Sequence, residues 1–256
     1  MKNEKVVKKV AFLIAFVLTI SGTAFGAAMS PSTSTAEYWA VIVGGDPVYA
    51  YQSAEDMYNA LNRASENWDA DHIRFLVNEN ATKANIRDAI QWMANEASTE
   101  DTCIFYFTGH GDTCRDFNGD EIDGFDELIS TYYNEAILDD ELEKWLSEVK
   151  AQKKVAILDA CYCGGVLTPH QIEDEALDTF DLDGFASDLE KANCLVLASC
   201  QANESSCGVD ILKNGIFTYY IVQGLWGDAD ENADARISVH EIYDYSYTKT
   251  VEYQEI

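Results

Sequence analysis

Two short stretches carry the residue types from which a nucleophilic site can be built. Val155-Ala-Ile-Leu-Asp-Ala-Cys-Tyr-Cys-Gly-Gly165 opens with four apolar residues and closes on paired glycines. Residues 155–158 predict a buried strand, and Gly164-Gly165 the turn that ends it. Asp159, Ala160 and Cys161 fall where that strand runs into a loop. Cys103-Ile-Phe-Tyr-Phe-Thr-Gly-His-Gly111 has the same form, an apolar strand ending in Gly-His-Gly. In open α/β sheets ligands bind at the carboxyl ends of the strands. The chain between the two tips has room for a helix, so both can lie side by side on one edge of a parallel sheet. A thiol at Cys161 beside an imidazole at His110 is an activated nucleophile, the imidazole taking the proton and the thiolate attacking a carbonyl carbon. Alone, a cysteine is more often core filling and a histidine a satisfied structural group. Their pairing at two glycine-flanked strand tips favours chemistry.

The elements that must hold these tips follow in order along the chain. Tyr38 to Val43 predicts a first strand, ended by Gly44-Gly45 and Asp46-Pro47. A helix from Ser53 to Ser65 places Met57, Leu61 and Ala64 on one face. Ile73 to Val77 predicts a second strand, and Thr82 caps a helix running to Ala97 with Ile86, Ile90 and Met93 at helical spacing. The His110 strand is followed by an acidic stretch read as a loop. Asp139 and Asp140 then open a helix through Leu142, Trp145 and Val149, acidic residues suiting its positive end. After the Cys161 strand, residues 166–191 read as an acidic surface loop, Cys194 to Ser199 as a strand and Gly215 to Leu225 as a helix. This alternation predicts an α/β fold, a three-layer α-β-α sandwich with a mainly parallel central sheet. There are no internal repeats.

A chain of 256 residues with 47% hydrophobic content can bury the core of one domain. With 17 basic against 45 acidic residues its formal charge is −28. That balance argues against nucleic acid or an anionic membrane surface as partner, and favours divalent cations, a saline environment or a cationic substrate. Lys2, Lys5, Lys8 and Lys9 precede an apolar run from Val10 to Ile20, and small residues follow at Ala24, Gly26 and Ala27. Residues 1–26 therefore read as a secretory signal, with an uncleaved anchor as the alternative, residues 27–37 as a linker, and residues 38–256 as the folded domain. The expected location is secreted or extracytoplasmic, with no membrane contact beyond that N-terminal segment. Seven cysteines then imply one reactive thiol and up to three disulfides. Cys103, Cys194 and Cys200 read as buried thiols, and Cys114, Cys163 and Cys207 as loop residues.

Phe107-Thr-Gly-His-Gly111 and Asp159-Ala-Cys-Tyr-Cys-Gly164 resemble the His and Cys motifs of the caspase-like cysteine peptidases, metacaspases above all. Legumain-type enzymes share the scaffold. Trp39-Ala-Val-Ile-Val-Gly-Gly45 with Ser53-Ala-Glu-Asp-Met57, the acidic stretch Asp116 to Ile129, and Leu197-Ala-Ser-Cys-Gln201 with Asn214-Gly-Ile-Phe-Thr218 resemble further parts of that family, so the likeness runs from about residue 38 to 247. It implies a caspase-like sandwich and a cysteine endopeptidase acting on proteins or peptides. Cys161 is then the nucleophile and His110 the acid-base group, and the backbone N–H groups of Cys161 and Gly111 form the oxyanion hole. Asp159, two residues before the nucleophile, would select Lys or Arg at P1 by charge pairing. The resemblance adds Asp56 to that pocket, with Ser53 and Thr108 as walls; Asp56 alternatively only solvates its helix.

Two acidic stretches suggest Ca²⁺. Asp230, Asn232, Asp234, Arg236, Ser238 and Glu241 fit positions 1, 3, 5, 7, 9 and 12 of an EF-hand-like loop spanning 230–241, although Ala235 stands where glycine is usual. The alternative is an exposed acidic loop. In the other stretch, the resemblance implies an activating Ca²⁺ held by Asp126, Asp139 and Asp140. It departs at Thr168, where the family has an aspartate, and Asp174 is a possible substitute. No Cys/His group has zinc-ligand spacing. The expectation is a secreted, Ca²⁺-activated peptidase with basic P1 preference. Its rivals are a catalytically silent Ca²⁺-binding surface module and a legumain-like Asn-specific peptidase or transpeptidase on the same dyad. Lys191 is the candidate point of self-cleavage.

Overall fold

Every residue of Tyr38–Gly44 and of Thr102–Thr108 is buried, as continuous apolar runs require when both faces of a sheet are covered. The computed structural model describes residues 36–45, 50–64, 68–119, 124–161, 189, 192–199, 208–209 and 214–254. In chain order its elements are β1 (Tyr38–Gly44), α1 (Ala50–Ala64), β2 (Trp68–Val77), α2 (Lys83–Glu96), β3 (Thr102–Thr108), β4 (Gly111–Arg115), β5 (Phe125–Ser130), β6 (Ala136–Leu138), α3 (Asp139–Ser147), β7 (Lys153–Asp159), β8 (Leu195–Ala198), β9 (Gly208–Val209), β10 (Asn214–Gly215), α4 (Ile216–Gln223) and α5 (Val239–Gln254).

The central sheet has five strands in the order β2-β1-β3-β7-β8, all parallel. Side chains alternate across it. Val41, Val43, Phe105, Phe107 and Leu158 pack on one face against Ile86, Ile90 and Met93 of α2 and Leu142 of α3. Ile42, Ile104, Tyr106 and Ile157 pack on the other against Met57 and Leu61 of α1, Ile221 of α4 and Ile242 of α5. Each such side chain contributes about 1.5–3 kcal/mol by leaving water. This is the expected three-layer sandwich. Thr82 caps α2 as expected, its Oγ1 accepting from the Asn85 N–H at 3.1 Å.

Two expectations are corrected. The acidic stretch after His110 is not a plain loop: β4, β5 and β6 form a three-stranded antiparallel sheet. Carboxylates hide it, because Asp126 and Glu127 are both buried in β5 and break the apolar alternation that marks a strand. Cys114 accordingly lies in β4. β2 begins at Trp68 rather than Ile73; the exposed run Asp69 to Asp71 carries no apolar signal, yet Trp68 still pairs with Tyr38 across an irregularity in the ladder. Among the described residues, Cys103, Cys114, Cys161 and Cys194 are not joined in disulfides, and Cys103 and Cys194 are buried as expected. The remaining cysteines are Cys163, Cys200 and Cys207. Those three cysteines lie outside the described residues, as do Thr168, Asp174, Lys191, residues 1–26 and most of 166–191. Among the described residues no helix is long and apolar enough to cross a membrane.

Candidate active site

The site begins with strand register. In the parallel pair β3·β7, Thr108 lies opposite Asp159. His110 and Cys161 each stand two residues beyond that pair, so adjacent strands deliver them at the same height. The hydrogen bonding continues one residue past the end of β3, the Gly109 N–H donating to the carbonyl of Asp159, the last residue of β7, at 3.1 Å. At Gly111 the two tips touch: a Cβ there would meet the Cys161 carbonyl oxygen at 1.9 Å. Only glycine permits that approach. Ser130 N–H holds the His110 carbonyl at 2.9 Å, and Ser199 Oγ holds that of Ala160 at 3.3 Å. His110 is exposed and Cys161 half-buried, so both can be reached from solvent. Of the other described cysteines, Cys103 and Cys194 are buried and Cys114 is half-buried. Burial pushes Cys103 up to about 12 and Cys194 up to about 11, and burial with the nearby Asp126 charge raises Cys114. Cys103 and Cys194, buried and so shifted, stay protonated and inert.

Behind the dyad the four expected pocket residues gather, brought together by a segment that the pattern of charges did not single out. Asp159, 4% exposed, accepts at Oδ2 from the Thr218 hydroxyl at 2.6 Å and the Thr218 N–H at 3.2 Å. This carboxylate caps α4, whose N-cap residue Gly215 has no side chain to do so. Thr218 spends its proton on Asp159, so the buried Tyr106 hydroxyl, 2.7 Å away, donates to Thr218. Burial and then the Asp159 charge hold that phenol well above its usual pKa, which keeps the donor proton in place. Gly215 is fitted closely: a Cβ would stand 2.1 Å from Asp159 Oδ2, and its N–H donates to the buried Ser53 Oγ at 3.1 Å. Asp56, half-buried on α1, accepts from Asn214 Nδ2 at 2.7 Å and Gln52 Nε2 at 3.0 Å. Thr108 lies buried at the tip of β3. Tyr106, Asn214, Gly215 and Thr218 are thus the residues missed; the polar Asn and Thr inside the otherwise apolar Asn214-Gly-Ile-Phe-Thr218 were the available signal.

The acidic residues sort into two places. In the antiparallel pair β5·β6, Leu128 faces Leu138, so two residues back along β5 and two residues on from Leu138 bring Asp126 level with Asp140. Among the described residues Asp126, Asp139 and Asp140 form the one set of three whose donor atoms all lie within 4.8 Å of one another. Asp139 is anchored by the N–H groups of Glu127 at 3.0 Å and Asp140 at 2.9 Å, and Asn118 Nδ2 reaches Asp140 at 2.7 Å. Three carboxylates this close repel one another, and an all-oxygen donor set suits a hard divalent cation. The residues fit Ca²⁺.

The 230–241 segment joins two helices, α4 with its continuation to Asp228 before it and α5 after it. Asp230 accepts from the N–H groups of Asp234 and Ala235 at 3.1 and 3.0 Å, Asn232 from Asp234 at 2.8 Å, and Asp234 from Arg236 at 2.8 Å. Glu241 accepts from the Ser238 N–H and hydroxyl, both at 2.8 Å. Partial burial would raise its pKa, but these donors and the N–H groups of Asn232 and Glu231 hold it below the usual value. Asp230, Asp234 and Glu241 do not converge as tightly as the Asp126 group.

Residues 53–169, which span Ser53, Asp56, Thr108, His110, the acidic trio, Asp159 and Cys161, match the family described as Metacaspase, peptidase C14 domain. Metacaspase-3 of Arabidopsis thaliana is 42% identical over 91 residues, covering 34% of this chain and 25% of the relative. Metacaspase-1 of Schizosaccharomyces pombe is 34% identical over 91 residues, covering 34% and 21%. Metacaspase-2 of Arabidopsis thaliana is 29% identical over 185 residues, covering 64% and 44%. The chain spans less than half the length of these curated relatives. A crystal structure of a protein from Geobacter sulfurreducens matches with a TM-score of 0.51 at 22% identity, over 73% of this chain and 81% of the other, a likeness of fold.

Proposed function

We propose that this chain, whose residues 53–169 match the metacaspase peptidase C14 family and which is similar to curated metacaspases, is a cysteine endopeptidase that cleaves proteins or peptides after Arg or Lys. The observation that carries this is the shared height of His110 and Cys161 beyond the Thr108–Asp159 pair, with Gly111 seated against Cys161. In this mechanism His110 accepts the Cys161 thiol proton and the thiolate adds to the substrate carbonyl. The N–H groups of Cys161 and Gly111 stabilise the oxyanion, a contribution of roughly 3–4 kcal/mol per donor in other enzymes. His110 then protonates the leaving amine, and water hydrolyses the thioester.

Two carboxylates, Asp159 and the more accessible Asp56, supply negative charge for a basic side chain, with Ser53 and Thr108 as walls. Asp126, Asp139 and Asp140 would hold Ca²⁺, which would neutralise their mutual repulsion and tie β5 to α3 beside the strand that follows His110. Asp230, Asn232, Asp234, the Arg236 carbonyl and Glu241 are the weaker candidate set. The charge of −28 supports a partner that is cationic rather than nucleic acid, and the Lys-flanked apolar run of residues 10–20 supports export.

The test is fluorophore release from peptides with Arg, Lys, Asn or Asp at P1, in Ca²⁺ or in EDTA, for wild type, Cys161→Ala and His110→Ala. Turnover of Arg and Lys peptides that falls at least 1,000-fold in both variants and drops in EDTA is the expected result, the scale following losses seen for other catalytic dyads and triads. Asn turnover would keep the enzyme and discard the basic pocket. Absence of turnover by folded, Ca²⁺-loaded protein would leave a silent binding module.

A further inference from the structure

We infer that Asn214 is a specificity-determining residue of the basic pocket, its side-chain carbonyl accepting a hydrogen bond from the P1 guanidinium. This rests on the Arg/Lys reading above. Asn214 is 4% exposed. Its Nδ2 donates to Asp56 Oδ2 at 2.7 Å, which fixes the amide's orientation, since the reverse would set two oxygens against each other. Oδ1 is then left buried with no partner among the described residues. Unsatisfied buried acceptors are rare because a lost hydrogen bond is not replaced by water.

The place of this orphan acceptor matters. Gly215, the next residue, has no room for a Cβ beside Asp159 Oδ2 and gives its N–H to Ser53. Asn214 therefore sits between the two acidic residues of the pocket, holding one and adjoining the contact to the other. A ligand completing this group must bring positive charge for the carboxylates and an N–H for a neutral oxygen. A guanidinium has five N–H donors in a planar fork and can do both at once; an ammonium is a compact charge with three donors and reaches fewer partners. The arrangement thus favours Arg over Lys.

The experiment compares kcat and KM for Arg- and Lys-P1 peptides in wild type, Asn214→Ala, Asn214→Leu, Asp56→Ala and the Asp56→Ala/Asn214→Ala double variant. Thermal unfolding and the rate of Cys161 alkylation by iodoacetamide are followed in parallel. Losing a hydrogen bond to a charged group should lower Arg turnover roughly 10- to 100-fold, mainly through KM. Lys turnover should fall less, so the Arg/Lys ratio narrows, and alkylation should be unchanged. The narrowing should persist in the Asp56→Ala background. Equal losses for both peptides, or no effect of Asn214→Ala once Asp56 is gone, would mean that Asn214 only holds Asp56, and would overturn the inference. Turnover of neither peptide by wild type would remove the basic pocket itself, whereas a basic preference with an unchanged ratio removes Asn214 alone.

Discussion

A single added methyl group at Gly111 tests how closely the two strand tips must meet. The Cβ of alanine would stand 1.9 Å from the Cys161 carbonyl oxygen and 3.0 Å from its carbonyl carbon, and backbone atoms cannot rotate away. Gly111→Ala should therefore push the His110 and Cys161 loops apart, lowering turnover by about 100-fold or more, as small displacements of reacting groups do. Stability should fall by about 1–3 kcal/mol, the usual effect of overpacking. Gly119→Ala is the matched control: its φ of +82° strains alanine, but nothing lies within 4 Å of the new methyl. It should lose about 1 kcal/mol and keep its activity. Equal turnover in the two variants would show that the tight contact does not position the dyad. At this scale the sequence disclosed residues marked by chemistry and by strand ends, such as Cys161, His110 and Asp159. It did not disclose Tyr106 and Thr218 as partners, because they meet across 112 residues of chain and neither lies in a pattern that demands the other.

The same contrast holds for whole elements. β1, β3 and β7 were legible because both of their faces are apolar. The sheet β4–β6 was not, because its buried positions include the carboxylates of Asp126 and Glu127. The 230–241 loop lies between these cases: its oxygen donors keep the expected spacing, and the turn forms although glycine is absent. Ala235 adopts φ 63° and Ala233 φ 58°, the left-handed region that a Cβ disfavours by roughly 1–2 kcal/mol. Ala235→Gly relieves that strain, offset in part by the greater freedom of glycine in the unfolded chain. A net gain of up to about 1 kcal/mol in urea unfolding should follow without Ca²⁺. If the loop holds the ion, calorimetric titration should also show tighter binding in the glycine variant. A loss of stability would mean that the left-handed turn is not strained; unchanged titration in both proteins would leave the loop a structural link between α4 and α5.

Across the whole molecule the carboxylates pull in two directions as pH falls. Protonating the many surface acids of a chain with charge −28 relieves self-repulsion and favours the folded state. Asp101 acts the other way. Buried at the start of β3, it accepts from the N–H groups of Glu37 and Ser98, both at 2.8 Å, and from Trp39 Nε1 at 3.3 Å, tying β1, β3 and the end of α2 together. Burial would raise its pKa, but these donors outweigh it and hold the carboxyl below its usual value. A lowered folded pKa means that the stabilisation is complete above the unfolded value of about 3.9 and is lost as pH falls through the folded one. Asp101→Asn keeps the shape and removes the charge. Its deficit against wild type in urea unfolding should be about 1–3 kcal/mol at pH 6 and should narrow below pH ~4. Repulsion among the other acids changes almost equally in the two proteins, so the difference isolates Asp101. A gap that stays constant down to pH 3 would mean that the N–H groups of Glu37 and Ser98 hold an oxygen and not a charge, and the acid limit of this fold would then have to come from carboxylates elsewhere.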